Sequence, residues 1–63
     1  MFPRTGEWFM AHGDLNPMDV AQVLKLQEHG EHKRFGIIAL ERQMIGGRQL
    51  REYERDLRLH GMI

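Results

Sequence analysis

The chain has 63 residues, with nine basic and nine acidic side chains and no cysteine. A chain of this length forms at most one domain and buries only about 60% of its unfolded surface, so association with a partner is expected to add stability. The lack of cysteine excludes disulfides, thiolate zinc sites and thiol nucleophiles. The net charge is zero, so the chain lacks the excess of basic residues that is typical of nucleic-acid-binding proteins.

Residues 1–14 are predicted to form an irregular arm, because a proline and two glycines interrupt an aromatic segment. Trp8 and Phe9 are the bulky side chains of this segment. In so small a protein they are expected to fold back over the core, and the alternative is that they are exposed as anchors for a partner. The predicted domain organisation is therefore this arm followed by a single helical domain at 15–63.

Residues 17–29 carry the clearest helix pattern in the sequence. Asn16 is a favoured N-cap residue, Pro17 suits the first helical position, and Asp19 is placed to complete a capping box. Apolar residues then recur at helical period. Gly30 is a natural end for the helix, because glycine readily adopts the left-handed conformation that follows many helices.

Residues 32–45 are predicted to form a second helix, with a short strand at 35–40 as the alternative. The helix would carry two apolar stripes, one of which consists of Phe35, Ile38 and Ile45. A helix that is apolar on two sides lies in the middle of a bundle or forms half of a dimer interface. The strand alternative rests on the short apolar run FGIIAL, which contains β-branched residues.

Residues 48–60 are predicted to form a third helix after a pair of glycines, since Leu50, Tyr53 and Leu57 share one face. The predicted fold is thus all-α, a three-helix unit that follows an irregular arm, with α+β as the alternative if 35–40 is a strand. No internal repeat is recognised in the sequence.

Four arginines recur at helical spacing on one face of the third predicted helix. Such a stripe is typical of helices that enter the DNA major groove. Glutamates three or four positions away can pair with these arginines, which favours a solvated charged face or an acidic protein partner instead. The four residues are Arg48, Arg51, Arg55 and Arg58.

The segment EHGEH contains two histidines, His29 and His32, each preceded by a glutamate. A zinc site needs about four converging ligands, whereas the predicted helix end at Gly30 would place these two imidazoles on different elements. The segment is interpreted as the end of one helix and the start of the next. No metal and no cofactor are predicted.

Catalysis is not predicted either. The chain has no serine, Thr5 is its single threonine, and the glycine pair at 46–47 lacks the lysine and hydroxyl residue of a phosphate-binding loop. A chain this small also has little volume for a substrate pocket. No catalytic residues are assigned.

The predicted function is a non-enzymatic protein-binding module, a small adaptor or inhibitor that docks an apolar helix face with an arginine-rich rim onto a larger protein. A homodimer is also predicted, and the alternatives are a small DNA-binding transcriptional regulator or a structural assembly subunit. No membrane partner is expected, since no apolar run or signal-peptide pattern is found, and a cytoplasmic protein is the default. The predicted partner-binding residues are Trp8, Phe9, Phe35, Ile38, Ile45, Arg48, Arg51, Arg55 and Arg58.

Overall fold

A computed structural model describes residues 3–61, which form four helices and no strand. The all-α prediction is confirmed. The helices are α1 (Thr5–Ala11), α2 (Pro17–Glu28), α3 (Phe35–Glu41) and α4 (Gly47–Gly61). No helix in this part of the chain is long and apolar enough to cross a membrane.

The irregular arm predicted at 1–14 is wrong, because residues 5–11 form α1; residues 1–2 lie outside the described part. The prediction counted Gly6 among the three residues that interrupt this segment. In the structure it lies within α1 and allows close packing, since a Cβ built at Gly6 would lie 2.8 Å from Val20 Cγ1. The glycine therefore marks a close helix contact.

Helix α2 begins and ends nearly as predicted. Asn16 Oδ1 accepts a hydrogen bond from the Asp19 amide at 2.8 Å, and the Asp19 carboxylate accepts one from the Asn16 amide at 3.2 Å. These two bonds complete the predicted capping box. The helix ends at Glu28, and Gly30 has a φ of +107°, a conformation that glycine adopts without strain.

Helix α3 is shorter than predicted, and the strand alternative at 35–40 is wrong. The predicted helix over 32–45 forms only from Phe35 to Glu41, because the chain turns at Gln43 with a φ of +60°. That conformation is uncommon for residues other than glycine, so the sequence gives little sign of it. The prediction of a helix over 48–60 is confirmed by α4.

The chain contains an internal structural repeat that was not recognised in the sequence. The second half repeats the first at an offset of 30 positions. In each half a short helix, a tight turn with one positive φ (Gly13, Gln43) and a long helix follow one another. The backbone hydrogen bonds of the turns match, since Asp14 N donates to Phe9 O and Met44 N donates to Ala39 O, both at 2.9 Å.

Burial follows the same offset. Every residue from 6 to 20 has the same degree of burial, whether buried, half-buried or exposed, as its counterpart from 36 to 50. At this offset only two residues recur identically, Arg4 as Arg34 and Gly6 as Gly36. The two halves thus share a backbone course, and over 6–20 and 36–50 a burial pattern, while nearly all of their side chains differ.

The two repeats pack against each other. Helix α2 of the first repeat packs on α3, α4 of the second packs on both α1 and α3, and α1 and α3 contact each other. Thr5 Oγ1 and Tyr53 Oη share a 2.9 Å hydrogen bond between α1 and α4. The buried core draws on both halves and consists of Trp8, Phe9, Leu15, Val23, Phe35, Ile38, Ala39 and Ile45.

Candidate functional site

The five apolar residues predicted to bind a partner lie in the core. Their exposed fractions do not exceed 8%, and they contact one another across the two repeats. The physical reason is the internal repeat, because each short helix supplies core residues to both halves. Phe35 also lines a surface cleft, whereas the other four lie beneath the surface of the folded domain. The five apolar residues are Trp8, Phe9, Phe35, Ile38 and Ile45.

The four arginines predicted as a charged rim are exposed on α4, but they do not share one site. Arg48, Arg51 and Arg55 lie around a shallow depression together with Glu52. Arg48 pairs with Glu52 at 3.4 Å, as the helical spacing suggests. Arg58 lies on a different cleft.

That cleft is formed where the two repeats meet, and we call it the repeat cleft. Its volume is about 680 Å³. Three apolar side chains in its lining, Leu24, Ile37 and Leu57, are exposed by 39 to 49%. The lining residues are Arg4, Thr5, Gly6, Leu24, Gln27, Arg34, Phe35, Ile37, Tyr53, Glu54, Leu57 and Arg58.

Eight of the twelve residues that line the repeat cleft form four pairs of equivalent residues. Arg4 and Arg34 are the N-cap residues of α1 and α3, with nearly identical φ and ψ of −62° and 155° against −65° and 152°. The carbonyl of Arg4 accepts a hydrogen bond from Trp8 N at 2.9 Å, and that of Arg34 accepts one from Ile38 N at 3.1 Å. The helices therefore fix both backbones while both side chains remain exposed.

The charge of the repeat cleft is positive. Arg4, Arg34 and Arg58 face a single acid, Glu54. Within residues 3–61 none of these three arginines forms an ion pair. An exposed guanidinium with no carboxylate partner presents planar, bidentate donors suited to a carboxylate or phosphate.

The repeat cleft was missed in the sequence because its arginines are far apart along the chain. Only the recurrence of arginine two positions before glycine, at Arg4 and Gly6 and again at Arg34 and Gly36, indicates that they are equivalent. Leu24 and Leu57 looked like ordinary helix residues, and scattered apolar residues on a surface are common.

The two histidines of the EHGEH segment lie on either side of the turn, at the end of α2 and in the link to α3. No group of three or more histidine, aspartate or glutamate side chains within the described residues is arranged to hold a metal ion. In the same link, Lys33 Nζ donates to both carboxylate oxygens of Glu41 at 3.0 Å. The hydrogen bond to Glu41 and the charge of its carboxylate raise the pKa of Lys33.

No known protein family, curated protein or solved structure matches this chain.

Proposed function

We propose that the protein is a non-enzymatic protein-binding module, a small adaptor or inhibitor whose repeat cleft takes an acidic, partly apolar segment of a larger protein. The observation that carries this proposal is the combination of an exposed apolar lining with one acid and three arginines that form no ion pair within residues 3–61. Leu24, Ile37 and Leu57 would contact the apolar side chains of the segment. Removal of that exposed surface from water favours docking.

The charges would set the specificity. Arg4 and Arg34, one from each repeat, would donate hydrogen bonds to two carboxylates along the segment, and Arg58 would add a third contact. Charge-assisted hydrogen bonds of this kind are stronger than neutral ones. The exposed arginines would also speed association with an acidic partner at low salt.

The test is a selection of random displayed peptides against the immobilised chain. The expected result is enrichment of peptides that combine acidic residues with leucine or aromatic residues. Their binding should weaken at least about tenfold against the folded double variant Arg4→Glu with Arg34→Glu. The control variant Arg51→Glu, on the outer face of α4, should bind the same peptides with unchanged affinity.

Three results would contradict the proposal. They are a selection that enriches nothing, peptides without acidic residues, and peptides that bind the double variant as tightly as the original chain. Competition by a small phosphate-bearing molecule with no peptide enrichment would assign the arginines to a different class of ligand.

A second candidate function is DNA binding through the outer face of α4, where Arg48, Arg51 and Arg55 are all exposed. The pairing of Arg48 with Glu52 weakens this candidate. Fluorescence anisotropy of a labelled DNA duplex separates the two functions. If α4 contacts DNA phosphates, the logarithm of the binding constant should fall linearly with the logarithm of the salt concentration. Binding should also be lost in the double variant Arg51→Ala with Arg55→Ala.

A further inference from the structure

A second cleft lies on a different face of α2, and we call it the basic cleft. It shares no lining residue with the repeat cleft, and its volume is about 500 Å³. Clefts that bind small molecules have volumes of about 300–1,000 Å³, so the basic cleft is large enough for one. The lining residues are Gln22, Lys25, Leu26, His29, Arg42 and Met44.

The lining of the basic cleft contains three basic side chains and no acid. Lys25 and His29 come from the end of α2, and Arg42 directly follows α3. All three are exposed, and within residues 3–61 none of them forms an ion pair. Lys25 and Arg42 therefore give the cleft two positive charges that no carboxylate of its lining balances, which favours an anionic ligand.

The ends of α2 and α3 meet at the basic cleft, and basic side chains near a helix end often bond its last carbonyls. Here main-chain amides bond those carbonyls instead. Glu31 N donates to Leu26 O at 3.0 Å, and Met44 N donates to Ala39 O at 2.9 Å. The basic side chains are therefore not required as helix caps and are available to a ligand.

We propose that the basic cleft binds a small organic phosphate monoester. Such a phosphate group carries about two negative charges and three acceptor oxygens at neutral pH. Lys25 and Arg42 match it in charge, the guanidinium can bind two of its oxygens at once, and the imidazole of His29 adds an N–H donor. A carboxylate has one charge and two oxygens, so it would leave one of the two cations without a counter-charge.

The organic part of the ligand packs on the apolar part of the basic cleft. Leu26 of α2 and Met44 of the turn after α3 are half-buried there. Methionine adapts to irregular ligand shapes, and burial of apolar surface adds affinity. A phosphate monoester with an aromatic group is therefore expected to bind more tightly than inorganic phosphate.

Titration of the whole chain with phenyl phosphate, followed by NMR spectra of the backbone amides, tests the proposal. The largest shifts should fall on residues 22–29 and 42–44, which contain the lining of the basic cleft. Phenyl phosphate should bind at least about tenfold more tightly than inorganic phosphate, which lacks the apolar group, and than benzoate, which lacks the second charge. The double variant Lys25→Gln with Arg42→Gln should bind phenyl phosphate at least about tenfold more weakly than the original chain.

The double variant Arg4→Gln with Arg34→Gln is the matched control, because it also removes two positive charges but does so at the repeat cleft. It should bind phenyl phosphate at the basic cleft with unchanged affinity. Circular dichroism of both variants verifies that the helices are retained. The proposal is overturned if phenyl phosphate shifts no amide of the basic cleft, if the shifts fall on the repeat cleft instead, if both double variants lose affinity equally, or if benzoate binds as tightly as phenyl phosphate.

Discussion

At the residue scale, two equivalent glycines set how closely the helices approach. A Cβ built at Gly36 would lie 2.5 Å from Leu50 Cδ1, and one built at Gly6 would lie 2.8 Å from Val20 Cγ1. The neighbours differ in freedom, since valine is stiff at χ1 whereas the end of a leucine side chain can rotate away. Phe35 also lies 3.4 Å from the Gly6 position.

Gly6→Ala is therefore expected to destabilise the protein by about 1–3 kcal/mol through overpacking. Gly36→Ala should cost less, because the end of the Leu50 side chain can move aside, whereas Val20 beside Gly6 is stiff. Gly47→Ala is the control, since nothing lies within 4 Å of its Cβ position. Urea unfolding measures the free energy of unfolding of each variant. Equal losses of stability in Gly6→Ala and Gly36→Ala would contradict the expected order.

Lys33 gives a pH dependence at the same scale. Its pKa is raised in the folded protein by the hydrogen bond to Glu41, so the pair stabilises the protein at neutral pH. This stabilisation is lost as the pH rises through the raised pKa of Lys33. The difference in Tm between the original chain and Lys33→Gln is expected to be small at neutral pH, because the pair is exposed. It should shrink further in strongly alkaline buffer, and a growing difference would contradict the assignment.

Residue patterns indicated the arginines of α4 but not the arginines that line the repeat cleft. The arginine stripe of α4 was visible because its members are close in sequence, whereas Arg4 and Arg34 meet only through the fold. The apolar residues chosen as anchors were correctly recognised as apolar, yet Phe35 and Ile38 fill the core of their own chain. Sequence periodicity identifies an apolar face but does not tell whether it packs within one chain or against a second one.

At the element scale, helices with strong end residues were predicted well. The capping box at Asn16 and the glycine at position 30 located α2 within one residue. Helices α1 and α3 were missed or misplaced for a shared reason. Each is short, carries a glycine in its first turn and has no side-chain N-cap, so packing rather than local sequence stabilises it.

The two long helices begin differently, although they are equivalent. Asn16 and Asp19 make both bonds of a capping box, while in the second repeat Gln49 accepts from the Gly46 amide and Gly46 has no side chain to return the bond. The start of α4 is therefore less completely capped than that of α2.

Transfer of the first cap to the second repeat, by Gly46→Asn with Gln49→Asp, is expected to stabilise the protein by roughly a few tenths of a kcal/mol, because glycine is itself a tolerated N-cap residue. Asn16→Ala should destabilise it more, by about 0.5–2 kcal/mol. Urea unfolding checks both values. A transfer that destabilises the protein would show that the backbones at positions 16 and 46 are not equivalent in the way that the repeat requires.

At the scale of the whole molecule, the packing between the repeats makes each half depend on the other. Helix α2 packs on α3 of the second repeat, and α4 packs on α1 of the first repeat as well as on α3 of its own. Aromatic side chains also join the repeats, since Tyr53 of α4 lies 5.4 Å from both Trp8 and Phe9 of α1, measured between ring centroids. A repeat taken alone would expose the face that it buries in the intact chain.

Peptides 1–31 and 32–63 are therefore expected to be largely unfolded when separate, because isolated helices of about 12–15 residues or fewer are marginal in water. An equimolar mixture should regain helix and a cooperative thermal transition, since the chain is cut outside all four helices. Far-ultraviolet circular dichroism of each peptide and of the mixture measures this. A helical 1–31 peptide that melts cooperatively alone would mean that the first repeat is an independent domain, and the repeat cleft would then form between two separately stable units.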